Sequence, residues 1–142
     1  MFTGKNSMTT IESKIGEINN NDKVIYNFLS DFNNFKSLIP QDKISNWEST
    51  EDTCYFNISG VGEFGMKITE KTPSSLIKIS NSHNVPFDFN LWVQLKQVGE
   101  NDTRIKLTIK ANLNPMIKMV AKNPLQKMVD TIVDQLAVKF NK

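Results

Sequence analysis

The sequence is short of the residue types from which most catalytic and metal centres are built. Its 142 residues include one cysteine, one histidine and one arginine. Cys54 alone cannot form an internal disulfide, which fits a reducing compartment. One cysteine and one histidine cannot supply a usual structural zinc site, and no carboxylate spacing points to another metal. A Ser-His-Asp or Cys-His arrangement would have to use His83. That residue lies in a polar loop with Asn81, Ser82 and Asn84. A single arginine beside sixteen lysines argues against multidentate reading of phosphates or bases, and the formal charge is only +2. The basic residues form no cluster interleaved with aromatics, so nucleic acid is not expected as a partner. No run approaches the ~20 apolar residues of a membrane span, so stable membrane insertion is not expected. Gly60, Gly62 and Gly65 fit neither phosphate-loop spacing. Residues 1–8 read as a disordered lead without the apolar stretch of a signal peptide, and a cytoplasmic location is expected. Residues 9–142 carry no repeat and no linker and are expected to form one domain.

What is present is a change of period. Ile11 and Ile15 mark a first strand over residues 9–18. Asn21 or Asp22 can cap a helix on which Val24, Ile25, Phe28, Leu29 and Phe32 recur at helical spacing. A second short helix carries Phe35, Leu38 and Ile39 and ends at Pro40. Beyond it the period becomes two. A weak strand spans 44–50, Glu51-Asp52 turns, and Cys54, Phe56 and Ile58 alternate with polar partners. Gly60 and Gly62 mark the next turn. Phe64, Met66 and Ile68, then Ile77 and Ile79, then Phe89, Leu91, Val93 and Leu95, then Ile105 through Leu113, continue the alternation. Such alternation predicts antiparallel strands with one buried face and one wet face.

The last quarter returns to helical spacing. Asn114 is a good N-cap and Pro115 a good first residue. Leu125, Met128, Val129, Ile132 and Leu136 share one face. Pro124 predicts an interruption, with a short helix over 115–122 and the main helix starting near Asn123. A long amphipathic helix needs a surface to cover, and the sheet before it is the one on offer.

This order, with the opening Ile11-Glu12-Ser13-Lys14-Ile15, the helix from Val24 to Phe35 and the junction Leu113-Asn114-Pro115-Met116-Ile117, resembles the START-like (SRPBCC) helix-grip superfamily. That superfamily includes lipid-transfer, polyketide-cyclase and coenzyme-Q-binding proteins. The resemblance spans roughly residues 9–140. It implies an α+β helix-grip fold: a seven-stranded antiparallel sheet curled around the C-terminal helix, with two short helices between the first two strands. It also implies a pocket between sheet and helix, without fixing one activity.

Alternation and helical phase assign the pocket lining to Phe56, Phe64, Met66, Ile79, Phe89, Leu91, Ile109, Val120, Met128, Val129 and Ile132. Ser13 and Asn81 fall on inward faces as possible ligand hydrogen-bonding groups. The expected ligand is a small hydrophobic or amphipathic molecule, such as a lipid, isoprenoid or polyketide-like compound, and no cofactor is expected. Met66, Met116, Met119 and Met128 would suit varied apolar guests, because methionine adapts its shape. Among the carboxylates, Glu70 extends the face of Phe64, Met66 and Ile68 towards one end of the pocket, and Glu48 shares a face with Ile44 and Asn46. Two alternatives stand beside this reading. A cyclase- or dehydratase-type enzyme would need two ionisable groups facing each other inside the pocket. A protein-interaction module would have a small or filled cavity and an exposed apolar patch, for which Trp92, on the polar face of its strand, is the candidate.

Overall fold

The structure is a computed structural model that describes residues 8–141. The expected disordered lead lies outside the described residues except for Met8, which is already in a strand. The elements in order are β1 (Met8–Glu12), β2 (Gly16–Ile18), α1 (Asp22–Leu29), a 3-10 turn (Phe32–Asn34), β3 (Ile44–Ser49), β4 (Thr53–Ile58), β5 (Gly62–Thr72), β6 (Leu76–Asn81), β7 (Phe89–Gly99), β8 (Asp102–Asn112) and α2 (Pro115–Phe140). One antiparallel sheet runs in the order β1-β8-β7-β6-β5-β4-β3, with β2 also paired to β8. The expected seven-strand path is therefore present, and splitting of the first strand makes the sheet eight-stranded.

The split has a physical cause. Ile11 and Ile18 are buried, but Ile15 between them is 65% exposed, so regular alternation fails at Ser13–Ile15. The chain leaves the sheet there, and side chains satisfy its backbone. Ser13 Oγ accepts from the Leu107 N–H at 2.9 Å and donates to the Lys14 carbonyl at 2.7 Å. The Lys14 N–H donates to Asp130 Oδ1 at 2.8 Å, and Gln126 Nε2 donates to the Glu12 carbonyl at 2.8 Å. The break thus ties the first strand to α2. Where the chain re-enters the sheet, Gly16 lets the helix lie close: a Cβ there would stand 2.5 Å from Val133 Cγ1 and 2.9 Å from Ile105 Cγ2.

Both helix starts are capped as the sequence predicts. Asn21 accepts from the Val24 N–H and Asn114 from the Ile117 N–H, each at 2.9 Å. The second short helix is present as a 3-10 helix at Phe32–Asn34, a few residues earlier than the spacing places it, and turns follow it. Phe35, Leu38 and Ile39 are buried as expected. The interruption at Pro124 is a correction, because α2 is continuous from Pro115 to Phe140. Proline removes one N–H, the partner of the Val120 carbonyl, and the helix carries on around that single missing bond. Its buried stripe, Ala121, Leu125, Met128, Val129, Ile132, Val133 and Leu136, keeps phase across the proline and holds the segment helical.

If Gly16 sets the distance between strand and helix, Gly16→Ala should cost about 1–3 kcal/mol, as overpacking does. Adding Val133→Ala should return part of that loss. Urea unfolding of the two variants and of Val133→Ala alone measures the coupling; additive losses would contradict the close approach.

Candidate ligand-binding site

The inner face of the sheet brings together the residues assigned to the lining. Phe56 pairs with Phe64 across β4 and β5, Ile79 with Leu91 across β6 and β7, and Leu91 with Ile109 across β7 and β8. Met128, Val129 and Ile132 lie on the buried stripe of α2. These residues, with Met66 and Phe89, are between 0 and 7% exposed. Val120 does not join them. It is 52% exposed, because the helix stays in phase through Pro124 and buries the neighbouring Ala121 instead.

The two polar candidates are already employed. Ser13 holds the strand break described above. Asn81 Oδ1 accepts from the Phe89 N–H at 2.7 Å, while its amide donates to the Ser82 carbonyl at 2.9 Å and to Asp88 Oδ1 at 3.0 Å. It clamps the loop between β6 and β7.

The sheet interior contains a feature that alternation alone does not reveal. Seven rings form one connected cluster: Phe32, Phe35, Trp47, Phe56, Phe64, Phe87 and Phe89. Trp47 stacks on Phe35 and Phe56, with centroids 6.4 and 5.2 Å away, and Phe56 stacks on Phe64 at 5.8 Å. Phe64 meets Phe87 and Phe89 edge-on at 5.2 and 6.0 Å. Trp47 enters through a bulge in β3, where Asn46 adopts φ 57° and the register shifts between Ser45 and Glu48. The extra residue turns the indole inward and leaves Glu48 opposite Tyr55 on the outer face. This overturns the expectation that Glu48 shares a face with Ile44. A further irregularity between Ile68 and Glu70 leaves Glu70 exposed, 3.3 Å from Lys78, and away from the interior. The Trp47 Nε1–H is buried and has no hydrogen-bond partner among the described residues.

A ring of contacts surrounds this end of the interior. Lys127 of α2 pairs with Asp42 at 2.7 Å, and the Ser59 N–H donates to the Lys43 carbonyl at 2.8 Å. Gly62 lies against Pro86, where a Cβ would stand 3.0 Å from Pro86 Cγ. The Asn112 N–H donates to the Asp88 carbonyl at 2.9 Å, two residues before the α2 cap. The turn at 40–43, the β4–β5 hairpin, the 82–88 loop, the end of β8 and α2 at Lys127 therefore form a rim.

The interior is poor in ionisable groups. Among the described residues the buried polar ones are Ser13, Thr103 and Thr108, and the hydroxyls of all three are hydrogen-bonded. Cys54 is buried, and burial pushes its thiol well above the ordinary range. His83 is exposed and borders two adjoining recesses of about 480 and 560 Å³, the first of which also reaches Phe56 and Phe64. Tyr55, Ser82 and Asn84 border both; Glu48 and Glu63 border the first. Neither recess is lined by α2. Trp92 is half-buried on the outer face, with the Lys78 and Lys110 ammonium groups 5.6 and 5.9 Å from its ring centre. It is a cation-flanked indole rather than a bare apolar patch. No cluster of three or more metal-binding side chains occurs among the described residues.

No protein-family model matches the sequence, and no curated protein matches it. Solved structures do. A norcoclaurine synthase point mutant from Thalictrum flavum, in complex with a transition-state analogue, superposes with a TM-score of 0.73 at 11% identity over 98% of both chains. The Zhui aromatase/cyclase from Streptomyces sp. R1128 gives 0.71 at 11% identity, over 95% of this chain and 94% of that one. A START superfamily protein from Mycobacterium smegmatis gives 0.68 at 12% identity, over 95% and 98%. The chain has the START-like helix-grip fold. At 11–12% identity the likeness is one of fold.

The Cys54 environment yields a direct test. The native thiol should resist a disulfide reagent at neutral pH and react at the rate of unfolding. Because its pKa is raised in the folded state, the folded protein holds this proton more tightly than the unfolded chain. The thiol's contribution is therefore complete below the ordinary thiol pKa and is lost as the pH rises above it. Cys54→Ala should flatten the alkaline slope of stability in a pH series of thermal melts; an unchanged slope would contradict a thiol held neutral by burial.

Proposed function

We propose that the protein binds a small hydrophobic or amphipathic molecule between the inner sheet face and α2, at the rimmed end where the aromatic cluster lies. The carrying observation is the orphaned Trp47 indole N–H inside that cluster. A buried donor without a partner is costly, about 1–3 kcal/mol, and such groups call for an acceptor. Ligand sites in general combine an apolar lining with a few placed polar groups. The guest that fits this description has an apolar body, suited to stacking among Phe35, Phe56, Phe64 and Phe87, and one acceptor oxygen facing Trp47.

The interior rings must shift to admit it. Met66 and Met128 border the same core and can adapt at low cost. Ser13 and Asn81, being bonded within the protein, would contribute to the shape of the site rather than to ligand contacts. The apolar, non-ionisable interior favours a binder over a cyclase or dehydratase, which would need converging acid and base groups.

An aromatic ketone tests the reading. 2-Acetylnaphthalene should bind more tightly than naphthalene by the worth of one hydrogen bond, roughly 2- to 10-fold. In Trp47→Phe the two compounds should bind equally. Isothermal titration of both proteins with both compounds measures this. Binding that ignores the substitution would place the guest elsewhere, and no binding of either compound by the wild type would count against the reading altogether.

A further inference from the structure

The first of the two recesses beside His83, about 480 Å³, has the volume of a small-molecule site. Neighbouring strands build it. Tyr55 and Asn57 alternate with buried Cys54, Phe56 and Ile58, so they stand on the outer face of β4. Tyr55 lies opposite Glu48 of β3 and Gly65 of β5, and Asn57 lies opposite Glu63. The Ser82 N–H donates to the Gly65 carbonyl at 2.8 Å, which carries the row on to the 82–88 loop. Gly65 is buried beneath its neighbours. A Cβ there would stand 2.1 Å from Ser82 Oγ and 2.8 Å from Tyr55 Cε1. The tyrosine ring therefore lies down over the glycine, yet Tyr55 remains 55% exposed.

Hydrogen-bonding side chains surround this ring. Asn46, Glu48, Asn57 and Glu63 border the recess from the strands, and Ser82, His83 and Asn84 from the loop. Among the described residues none of these side chains, nor the Tyr55 hydroxyl, has a hydrogen-bond partner within the protein. By contrast Asn21, Asn34, Asn81 and Asn114 are all engaged in caps and loop clamps.

The mixture of groups selects the guest. Carboxylates only accept, whereas amides offer both donors and an acceptor. An anion only accepts. It would face Glu48 and Glu63 with no lysine or arginine bordering the recess to offset them. An ammonium group only donates and would leave the asparagine N–H groups unanswered. No cluster of three or more metal-binding side chains occurs among the described residues. A hydroxyl donates to a carboxylate and accepts from an amide, so several hydroxyls on one ring answer the whole set. The C–H face of such a ring is apolar, and an exposed aromatic side chain is suited to cover it. The adjoining recess of about 560 Å³ shares Tyr55, Ser82, His83 and Asn84, so the space continues past the tyrosine for a second ring.

We propose that this recess binds a neutral saccharide, with one sugar ring on Tyr55 and its hydroxyls bonded to Glu48, Glu63 and the asparagine amides. Gly65 sets the height at which the tyrosine lies. The site is separate from the interior one and uses neither Trp47 nor α2.

The test is titration of isotope-labelled protein with maltose, cellobiose and N,N′-diacetylchitobiose, read by amide chemical shifts in NMR. Tetramethylammonium chloride and sodium phosphate serve as charged probes. At least one disaccharide should shift the amides of Tyr55, Gly65 and Ser82–Asn84 saturably, and the charged probes should not. Tyr55→Ala should weaken that binding about tenfold. Glu63→Gln should weaken it to a similar degree, about tenfold, through loss of a charge-assisted hydrogen bond. Both side chains are exposed, so thermal melts of the variants should match the wild type. No saturable shift with any of the three disaccharides, shifts confined to other residues, or wild-type affinity in both variants would overturn the proposal. So would saturable shifts of the same amides by tetramethylammonium or phosphate at lower concentration than by any disaccharide.

Discussion

A curled sheet with one apolar face exposes more surface than one helix can cover, and the remaining architecture follows from that constraint. α2 buries its stripe against the β1–β2–β8 side, where Gly16 permits close approach and Asp130, Asp134 and Gln126 grip the strand break. The β3–β5 side receives its cover from elsewhere. Phe32 and Phe35 come from the segment after α1, Trp47 is turned inward by the bulge at Asn46, and Phe87 descends from the 82–88 loop. Each large aromatic removes some 150–250 Å² from water, so a few rings complete what the helix leaves open. The cover there consists of separate side chains on loops, which makes it the part of the core best able to rearrange.

That division links the fold to the proposed function. The helix side is pinned by backbone hydrogen bonds and a close contact that a single methyl group would disturb. The aromatic side holds one buried donor without a partner, at the end that the loops and α2 ring. A guest with an acceptor oxygen would satisfy the donor and replace ring–ring contacts with ring–guest contacts. Cys54 is buried within the interior, while His83 borders a recess with Tyr55, Glu48 and Glu63.

Most of the fold was legible in the sequence because it is written in periodicity and caps. Phe89 to Leu95 and Ile105 to Leu113 alternate cleanly, and they form the longest pairing in the sheet. Asn21 and Asn114 cap as their positions predict. What was not legible depends on distant partners. The break at Ser13–Ile15 is satisfied by α2 residues more than a hundred positions away. The single-residue bulge at Asn46 decides whether Trp47 or Glu48 faces inward, and neighbouring residues do not announce it. Pro124 is tolerated because the buried stripe on either side outweighs one lost bond. The residues assigned to a lining are buried in the interior as their alternation and helical phase predict, apart from Val120. The aromatic cluster was not legible, although nine phenylalanines and the Phe87-x-Phe89 spacing were its trace in the sequence.

The most direct measurement of the central claim is native mass spectrometry of protein purified without detergent, before and after incubation with a lipid extract of the producing cells. The account predicts a one-to-one adduct of low mass whose extracted molecule has an apolar body and an acceptor oxygen. A bare protein mass under both conditions would contradict it.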